Sequence, residues 1–275
     1  MIKKIEGVAI ITKNLNKTAY EASEYIAKIL SSKSIKVSSI PPFETSNFKN
    51  NNSNFTSLVN EIDLIIALGG DGTTLRAFRF HPSDIPVFSI NVGGTRGILS
   101  EIKLDQIDYA LDAILNGNYY YDERIRIQAS LSLSNKLFLP ALNDILLFRT
   151  NLTRTPTITI KFREGVISQR MDGIIVSTST GSTGHSISLG GPVLHEELNC
   201  LIINPIASLN KLPSIIIPPE EIEIYSNHKT DLVIDGQDKF LVEENSPIKI
   251  TRFPINARFI RLRKKGFRQL EKLGF

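Results

Sequence analysis

The sequence predicts an N-terminal three-layer α/β domain built on a parallel sheet, followed by a C-terminal antiparallel β-sandwich. Three observations carry this. The first hundred residues alternate apolar β-branched runs with helix-period segments. From about residue 118 the pattern changes to short alternating strands punctuated by Gly, Pro and Asn. At 275 residues the chain is long enough for two ordinary domains.

Taken in order, "EGVAIIT" (6–12) is a first strand, and Ala19, Ala22, Ile26, Ile29 and Leu30 then fall at helical spacing. "IKVSSI" (35–40) reads as a strand, "SNFKNNNSNF" (46–55) as a polar loop, and "FTSLVNEI" (55–62) as a short helix. "DLIIAL" (63–68) is the next strand, "TTLRAFRF" (73–80) a helix, "PVFSIN" (86–91) a strand and "LDQIDYALDAIL" (104–115) a helix. Beyond these, "RIRIQASLSL", "TITIKF", "GIIVSTS", "IEIYS" and "LVIDGQ" supply the strands of the sandwich. The first domain is expected at 1–100 and the second at 101–256. The basic tail 257–275 is expected to return to the first domain as a strand and helix, since the alternation of "RFIRLR" suits a strand better than a lipid-facing helix.

Composition excludes some functions. With 41% hydrophobic and 22% charged residues the chain is an ordinary soluble type, and no segment reaches the roughly 18–20 apolar residues of a membrane span. The N-terminus lacks the features of a signal peptide. Cys200 is the single cysteine, expected as a small buried apolar residue; with no intrachain disulfide to form, it fits a reducing, cytoplasmic setting. Four scattered histidines give no zinc spacing, so no structural metal is expected. A net charge of +4 favours an anionic ligand but is too small to argue for nucleic acid.

The chemistry concentrates in two stretches. In "ALGGDGTTLRAF" (67–78), Gly69, Gly70, Asp71 and Gly72 join a strand to a helix, where ligands bind open α/β sheets. Glycines let backbone N–H groups approach a phosphate, and a helix N-terminus adds partial positive charge. The spacing fits neither the dinucleotide fingerprint nor the Walker loop. An Asp-Gly pair is commonly just a turn. A carboxylate inside a phosphate loop needs a further role: accepting a proton from an attacking hydroxyl, or helping to hold Mg²⁺. The second stretch, "RMDGIIVSTSTGSTGHSISLGGPV" (170–193), is a strand followed by hydroxyl and glycine residues able to wrap a polar ligand. "ALND" (141–144) and "DGQ" (235–237) add polar pairs at strand ends.

Together with "NVGGTRGIL" (91–99) and "NPIA" (204–207), these motifs resemble the NAD kinase family over roughly residues 63–240. The long middle motif is the specific one; the glycine loop is shared with diacylglycerol kinases, sphingosine kinases and phosphofructokinases. The resemblance implies ATP-dependent phosphorylation of the 2′-hydroxyl of the adenosine ribose of NAD, with a divalent metal ion such as Mg²⁺. It also implies a homodimer or homotetramer, with polyphosphate a second donor in some members. By motif, Asp71 would be the catalytic base and Gly72 part of the phosphate loop. Asn143 and Asp144 would grip the NAD adenosine, and Asp172, Thr183, Gly184, His185, Ser186 and Ser188 would line the dinucleotide site. Gln237 would close it, and Arg76, Arg154 and Arg170 are candidate phosphate contacts.

Two departures from the family pattern stand out. Asp144 replaces a usual Glu, one methylene shorter, and Thr183-Gly184-His185-Ser186 stands where Thr-Ala-Tyr-Ser is usual. Both bear on affinity and on NAD against NADH, not on the reaction class. A lipid kinase is the nearest alternative, but residues 177–191 are crowded with hydroxyls where an acyl chain would need an apolar entrance. A non-catalytic NADP(H) sensor is a second; it would have no use for the Asp71 carboxylate.

Overall fold

Thr12 and Leu68 end neighbouring strands in register with Ile90, one residue from the end of the next, and that shared edge organises the first part of the chain. The computed structural model describes residues 4–39, 61–80, 84–93, 97–134, 136–264 and 266–274. The expected loop 46–55 and all but the last two residues of the expected helix 55–62 lie outside them.

The first sheet begins with β1 (Gly7–Thr12), β2 (Lys36–Ser39), β3 (Leu64–Leu68) and β4 (Val87–Asn91), in the order β2-β1-β3-β4 with every pairing among them parallel. β1 and β3 are buried at every residue, as strands covered on both faces must be. Helix α1 (Lys17–Ser32) is capped by Asn16, whose Oδ1 accepts the Ala19 N–H at 2.8 Å. Its Ala19, Ala22, Ile26 and Leu30 recur every three or four residues and pack with Val8, Ile10, Leu64, Ile66, Phe88 and Ile90 of one sheet face. Helix α2 (Asp71–Phe80) belongs to the opposite face, where its Phe78 ring meets Phe259 edge-on at 4.6 Å. The layers are therefore three. Truncating a core residue such as Ile66 to Ala would cost about 2–5 kcal/mol.

The chain stays in this sheet beyond residue 100. β5 (Ile102–Lys103) pairs with β4, α3 (Ile107–Leu115) buries Ile107, Ala110, Leu111 and Ile114 in the same core, and β6 (Tyr120–Arg124) joins the sheet edge. By its contacts the chain divides into one compact unit of Met1–Glu123 with Arg258–Arg268, and another of Arg124–Ala257 with Gln269–Phe275. The division falls at 123–124 rather than near residue 100, because the last helix and two further strands complete the first sheet before the sandwich starts.

The second unit is two antiparallel six-stranded sheets. Its strands are β7 (Ile127–Leu131), β8 (Lys136–Leu137), β9 (Asp144–Arg149), β10 (Thr157–Lys161), β11 (Val166–Arg170), β12 (Gly173–Thr178), β13 (Leu201–Ile206), β14 (Ile215–Ile217), β15 (Ile222–Ser226), β16 (Thr230–Ile234), β17 (Asp238–Val242) and β18 (Ile248–Arg252). The sheet orders are β11-β10-β15-β18-β7-β8 and β14-β13-β12-β9-β16-β17. Alternate residues of both, among them Ile158, Ile160, Ile224 and Ile250 against Ile145, Leu147, Ile174 and Val176, form one core. This is the predicted sandwich. Cys200, expected to be buried, is only half-buried, because it precedes β13 rather than lying within it.

The tail returns through β19 (Ala257–Arg261), which pairs in parallel with β4 and lies beside β6. Not all of it joins the first unit, however. Residues 269–275 group with the second, where Gln269 donates its side-chain amide to the Thr180 carbonyl at 3.0 Å. No described helix is long and apolar enough to cross a membrane.

Candidate active site

In the first unit the glycine loop is built from close backbone contacts. Leaving β3, Gly69 donates its N–H to the Ile90 carbonyl at 2.9 Å, and the Gly70 carbonyl accepts from Thr73 and Thr74, opening α2. A Cβ on Gly69 would lie 2.1 Å from Thr73 Oγ1, so any side chain there would force Thr73 to shift. Thr74 is buried and shares a hydrogen bond with Ser89 at 2.9 Å, fastening α2 to β4.

Asp71 therefore sits in the first turn of α2, at the carboxyl edge of the sheet. Its carboxylate accepts two backbone N–H groups, Leu99 at 2.8 Å on Oδ1 and Ile98 at 3.2 Å on Oδ2. These bonds orient the group, and each oxygen keeps a second lone pair for a proton, a hydroxyl or a cation. Gly72 follows, exposed on the same turn. Arg76, one turn on, aims its guanidinium at the end of β1, where it donates to the Thr12 carbonyl and, at 3.1 Å, to Asn14. The chain leaves β1 towards β2 on one side and β3 towards β4 on the other, so Arg76 spans the point where strand order diverges.

In the second unit the site forms around "ALND". Asp235 and Gly236 are the turn between β16 and β17, both at positive φ (50° and 64°), with Gln237 donating back to Ile234. The Asp235 side chain does more than turn the chain. Its carboxylate accepts the N–H groups of Leu142, Asn143 and Asp144 at 3.1, 2.8 and 3.2 Å. The other side of the segment is held by the end of β12: Ser177 and Thr178 hydroxyls donate to the Asn143 and Leu142 carbonyls at 3.1 and 2.6 Å. Gly181 packs so tightly here that a Cβ would lie 2.2 Å from the Asn143 carbonyl oxygen.

This clamp fixes the Asn143–Asp144 segment from both sides. Asn143 Oδ1 is a buried acceptor without a protein partner. Asp144 is buried, and burial together with the neighbouring Asp235 pushes its carboxyl up to about 7.

The remaining predicted residues differ in burial and in what they touch. Thr183 is buried beside the Thr180 carbonyl, and Gly184 joins that turn to a short helical turn, α4 (His185–Ser188). His185 and Ser188 are exposed on it. Ser186 is fully buried and its hydroxyl accepts from the Asn204 side-chain amide at 2.6 Å, tying α4 to β13. Asp172, half-buried, pairs with Arg149 at 2.9 Å and accepts from Thr155 at 3.4 Å. Arg154 and Arg170 are exposed, and so is Gln237. Asp235 is the residue that sequence reasoning passed over in favour of Gln237. The signal was present: Asp of an Asp-Gly turn, beside a second polar pair, is able to fold back on backbone N–H groups. Among the described residues no three His, Cys, Asp or Glu side chains gather as a metal-ligand group.

Comparison with known proteins covers both units. Residues 8–119 match the model of the ATP-NAD kinase N-terminal domain, and residues 142–262 that of the ATP-NAD kinase C-terminal domain. An NAD kinase of Natranaerobius thermophilus is 34% identical over 223 residues, 77% of either chain. One of Pyrococcus furiosus is 34% identical over 214 residues, 74% of this chain and 75% of its own. Among solved structures, an NAD kinase from Archaeoglobus fulgidus in complex with ATP has a TM-score of 0.78 at 25% identity, covering 98% of this chain and 97% of that one. A yeast NADH kinase complexed with NADH, at 22% identity, shares the fold with a TM-score of 0.86 over 99% of this chain and 87% of its own.

Proposed function

This chain belongs to the ATP-NAD kinase family, and we infer from that premise how its residues divide the work. The enzyme transfers the γ-phosphoryl group of ATP to NAD, giving NADP. The observation that carries the assignment of roles is the Asp71 carboxylate, held by two backbone N–H groups at the first turn of a helix on the carboxyl edge of a parallel sheet.

The adenosine ribose 2′-hydroxyl is a far weaker acid than any carboxylic acid, so a carboxylate does not remove its proton beforehand. In a loose transition state it need not: Asp71 orients the hydroxyl and takes the proton late. Most of the acceleration then comes from holding the 2′-oxygen in line with the γ-phosphorus. Gly69, Gly70 and Gly72 keep the loop close to phosphate, and Arg76 adds positive charge along the same edge. Asn143 and Asp144, fixed by Asp235, hold the ribose. The buried Asn143 Oδ1 without a protein partner supports this, since a sugar hydroxyl would satisfy it. Thr183, Gly184, His185, Ser188, Asp172 and Gln237 line the rest of the dinucleotide, and Arg154 and Arg170 meet its phosphates.

A divalent cation, Mg²⁺ first, fits this donor set as an ion carried on ATP. It takes phosphate oxygens, water and at most one or two carboxylates, and Asp71 offers one with lone pairs to spare. When bound it supplies neutralisation of phosphate charge. A cytoplasmic setting, a homodimer or homotetramer, and polyphosphate as a second donor belong to the same reading.

The test is a coupled assay of NADP formation from NAD, ATP and Mg²⁺ on wild type and Asp71→Asn. Collapse in the variant supports Asp71 as the proton acceptor. An equal rate removes it from the mechanism.

A further inference from the structure

Leu99 is held from both sides. Its N–H donates to Asp71 Oδ1 at 2.8 Å, and its carbonyl accepts from Arg261 Nη1 at 3.0 Å. The two groups belong to the two peptides flanking one Cα, so together they set the torsions of the residue that presents a hydrogen bond to Asp71. Arg261 is 1% exposed, on β19, and its guanidinium lies over the Phe259 ring at 4.2 Å.

The arginine is itself fixed on its other edges. Nε donates to Asp122 at 3.0 Å, and Nη1 also reaches Glu101 at 3.4 Å. Glu101 accepts the Leu262 N–H at 3.0 Å and pairs with Arg268 at 2.6 Å, while its own N–H donates to the Ser89 carbonyl at 2.8 Å. Two cations and two carboxylates are thus largely buried together in the first unit. Networks of this kind add little net stability over apolar packing, because desolvation offsets the attraction. What they do well is fix geometry, and the end point of this one is the segment that holds Asp71.

We propose that Arg261 is a positioning residue for phosphoryl transfer. It pins residues 98–101 so that the Ile98 and Leu99 N–H groups hold the Asp71 carboxylate in the orientation that receives the ribose proton. This rests on the reading of Asp71 as proton acceptor. It gives β19 a part in catalysis from a strand that contributes no residue to the phosphate loop.

The test is a cycle of single-turnover rates on wild type, Arg261→Lys, Asp71→Asn and the double variant, with KM for NAD and ATP measured alongside. Lysine keeps the buried charge balanced but cannot fork between Leu99, Glu101 and Asp122. A small misplacement of a catalytic group lowers rate by up to about a hundredfold. The expected result for Arg261→Lys is therefore a roughly ten- to hundredfold slower transfer with both KM values within about threefold. In the Asp71→Asn background the same change should cost less than about twofold, because the group it positions is already gone. Should Arg261→Lys not fold, Arg261→Gln combined with Asp122→Asn removes one cation and one carboxylate together and serves the same cycle. An unchanged rate in Arg261→Lys, or equal losses in the wild-type and Asp71→Asn backgrounds, overturns the proposal while leaving Asp71 in place. A full rate in Asp71→Asn itself overturns the underlying reading, and the proposal with it.

Discussion

Asp144 and Asp235 are hydrogen-bonded to each other twice: the Asp144 N–H donates to the Asp235 carboxylate at 3.2 Å, and the Asp235 N–H donates to the Asp144 carbonyl at 3.0 Å. Two buried carboxyl groups are thereby kept near one another, with three backbone N–H groups turned towards Asp235 and none of those three towards Asp144. Burial first, then the Asp235 charge, raises the Asp144 carboxyl from 3.8 to about 7.

A stability effect follows with a definite sign. The folded chain binds the Asp144 proton more tightly than the unfolded chain, so between pH 3.8 and about 7 the folded state carries more protons. This group's contribution is present below pH 3.8 and lost as pH rises through about 7. Asp144→Asn should remove it. Melting temperatures of wild type and variant across pH 4–8 are expected to converge or cross towards neutral pH, with wild type gaining relative stability in acid. Parallel curves would mean that Asp144 does not titrate in this window.

On the reading that Asp144 holds the ribose, the same titration bears on NAD recognition. Ionised Asp144 accepts hydrogen bonds from a ribose diol, and the ionised fraction falls about tenfold per pH unit below the pKa. KM for NAD is therefore expected to rise as pH drops below about 7, while KM for ATP moves less. In Asp144→Asn the KM for NAD should be high and flat with pH. A steep profile surviving in that variant would assign the dependence to another group.

How far the sequence alone reveals this differs between fold and site. The strand–loop–helix around Asp71 was legible because apolar run, glycines and helix period follow one another within twenty residues. The sandwich was legible from alternation. The boundary was not, since β5 is only two residues long and β6 finishes the first sheet by pairing with β19, about 135 residues on, which no local pattern records. Ser186 shows the limit at the site. It lies in a motif expected to line the dinucleotide, yet its hydroxyl accepts from Asn204, eighteen residues on. Arg261 is the counterpart: "RFIRLR" reads as a basic strand, and only long-range partners reveal that one of its arginines is buried.

Ser186 and His185 should consequently separate in their effects. Ser186→Ala leaves the fully buried Asn204 amide without its acceptor, at a cost of about 1–3 kcal/mol of stability. It should lower the melting temperature and change KM for NAD only secondarily. His185→Ala, on an exposed side chain, is expected to keep the melting temperature while raising KM for NAD several-fold. Thermal melts and steady-state kinetics on the pair decide the matter; His185→Ala with wild-type KM would take His185 out of the site.

Gly181 offers a test of the clamp. An alanine Cβ there would meet the Asn143 carbonyl oxygen at 2.2 Å and Ser177 Oγ at 2.4 Å, and the first of these is backbone. Either the 180–183 turn or the Asn143–Asp144 segment must move. Such overpacking costs about 1–3 kcal/mol. Gly181→Ala should thus lower the melting temperature and raise KM for NAD together. A variant with unaltered stability and KM would show that the two segments are not in contact as described.

Asp71→Asn carries the most weight, and its structural consequence has to be separated from its chemical one. The carboxylate accepts from both Ile98 and Leu99. An amide has one oxygen, so one of the two N–H groups would face an NH₂ instead and the segment would loosen locally. That loss is conformational and belongs to the first unit, whereas Asn143 and Asp144, the residues proposed to hold NAD, lie in the second. Binding of NAD measured by titration calorimetry is therefore expected to persist within a few-fold. Turnover should fall by about 10²–10⁴-fold, the usual worth of a positioned general base. Loss of binding and turnover in equal proportion would point instead to a collapsed loop. Retained binding with full turnover would mean that the ribose proton leaves by a route that does not involve this carboxylate.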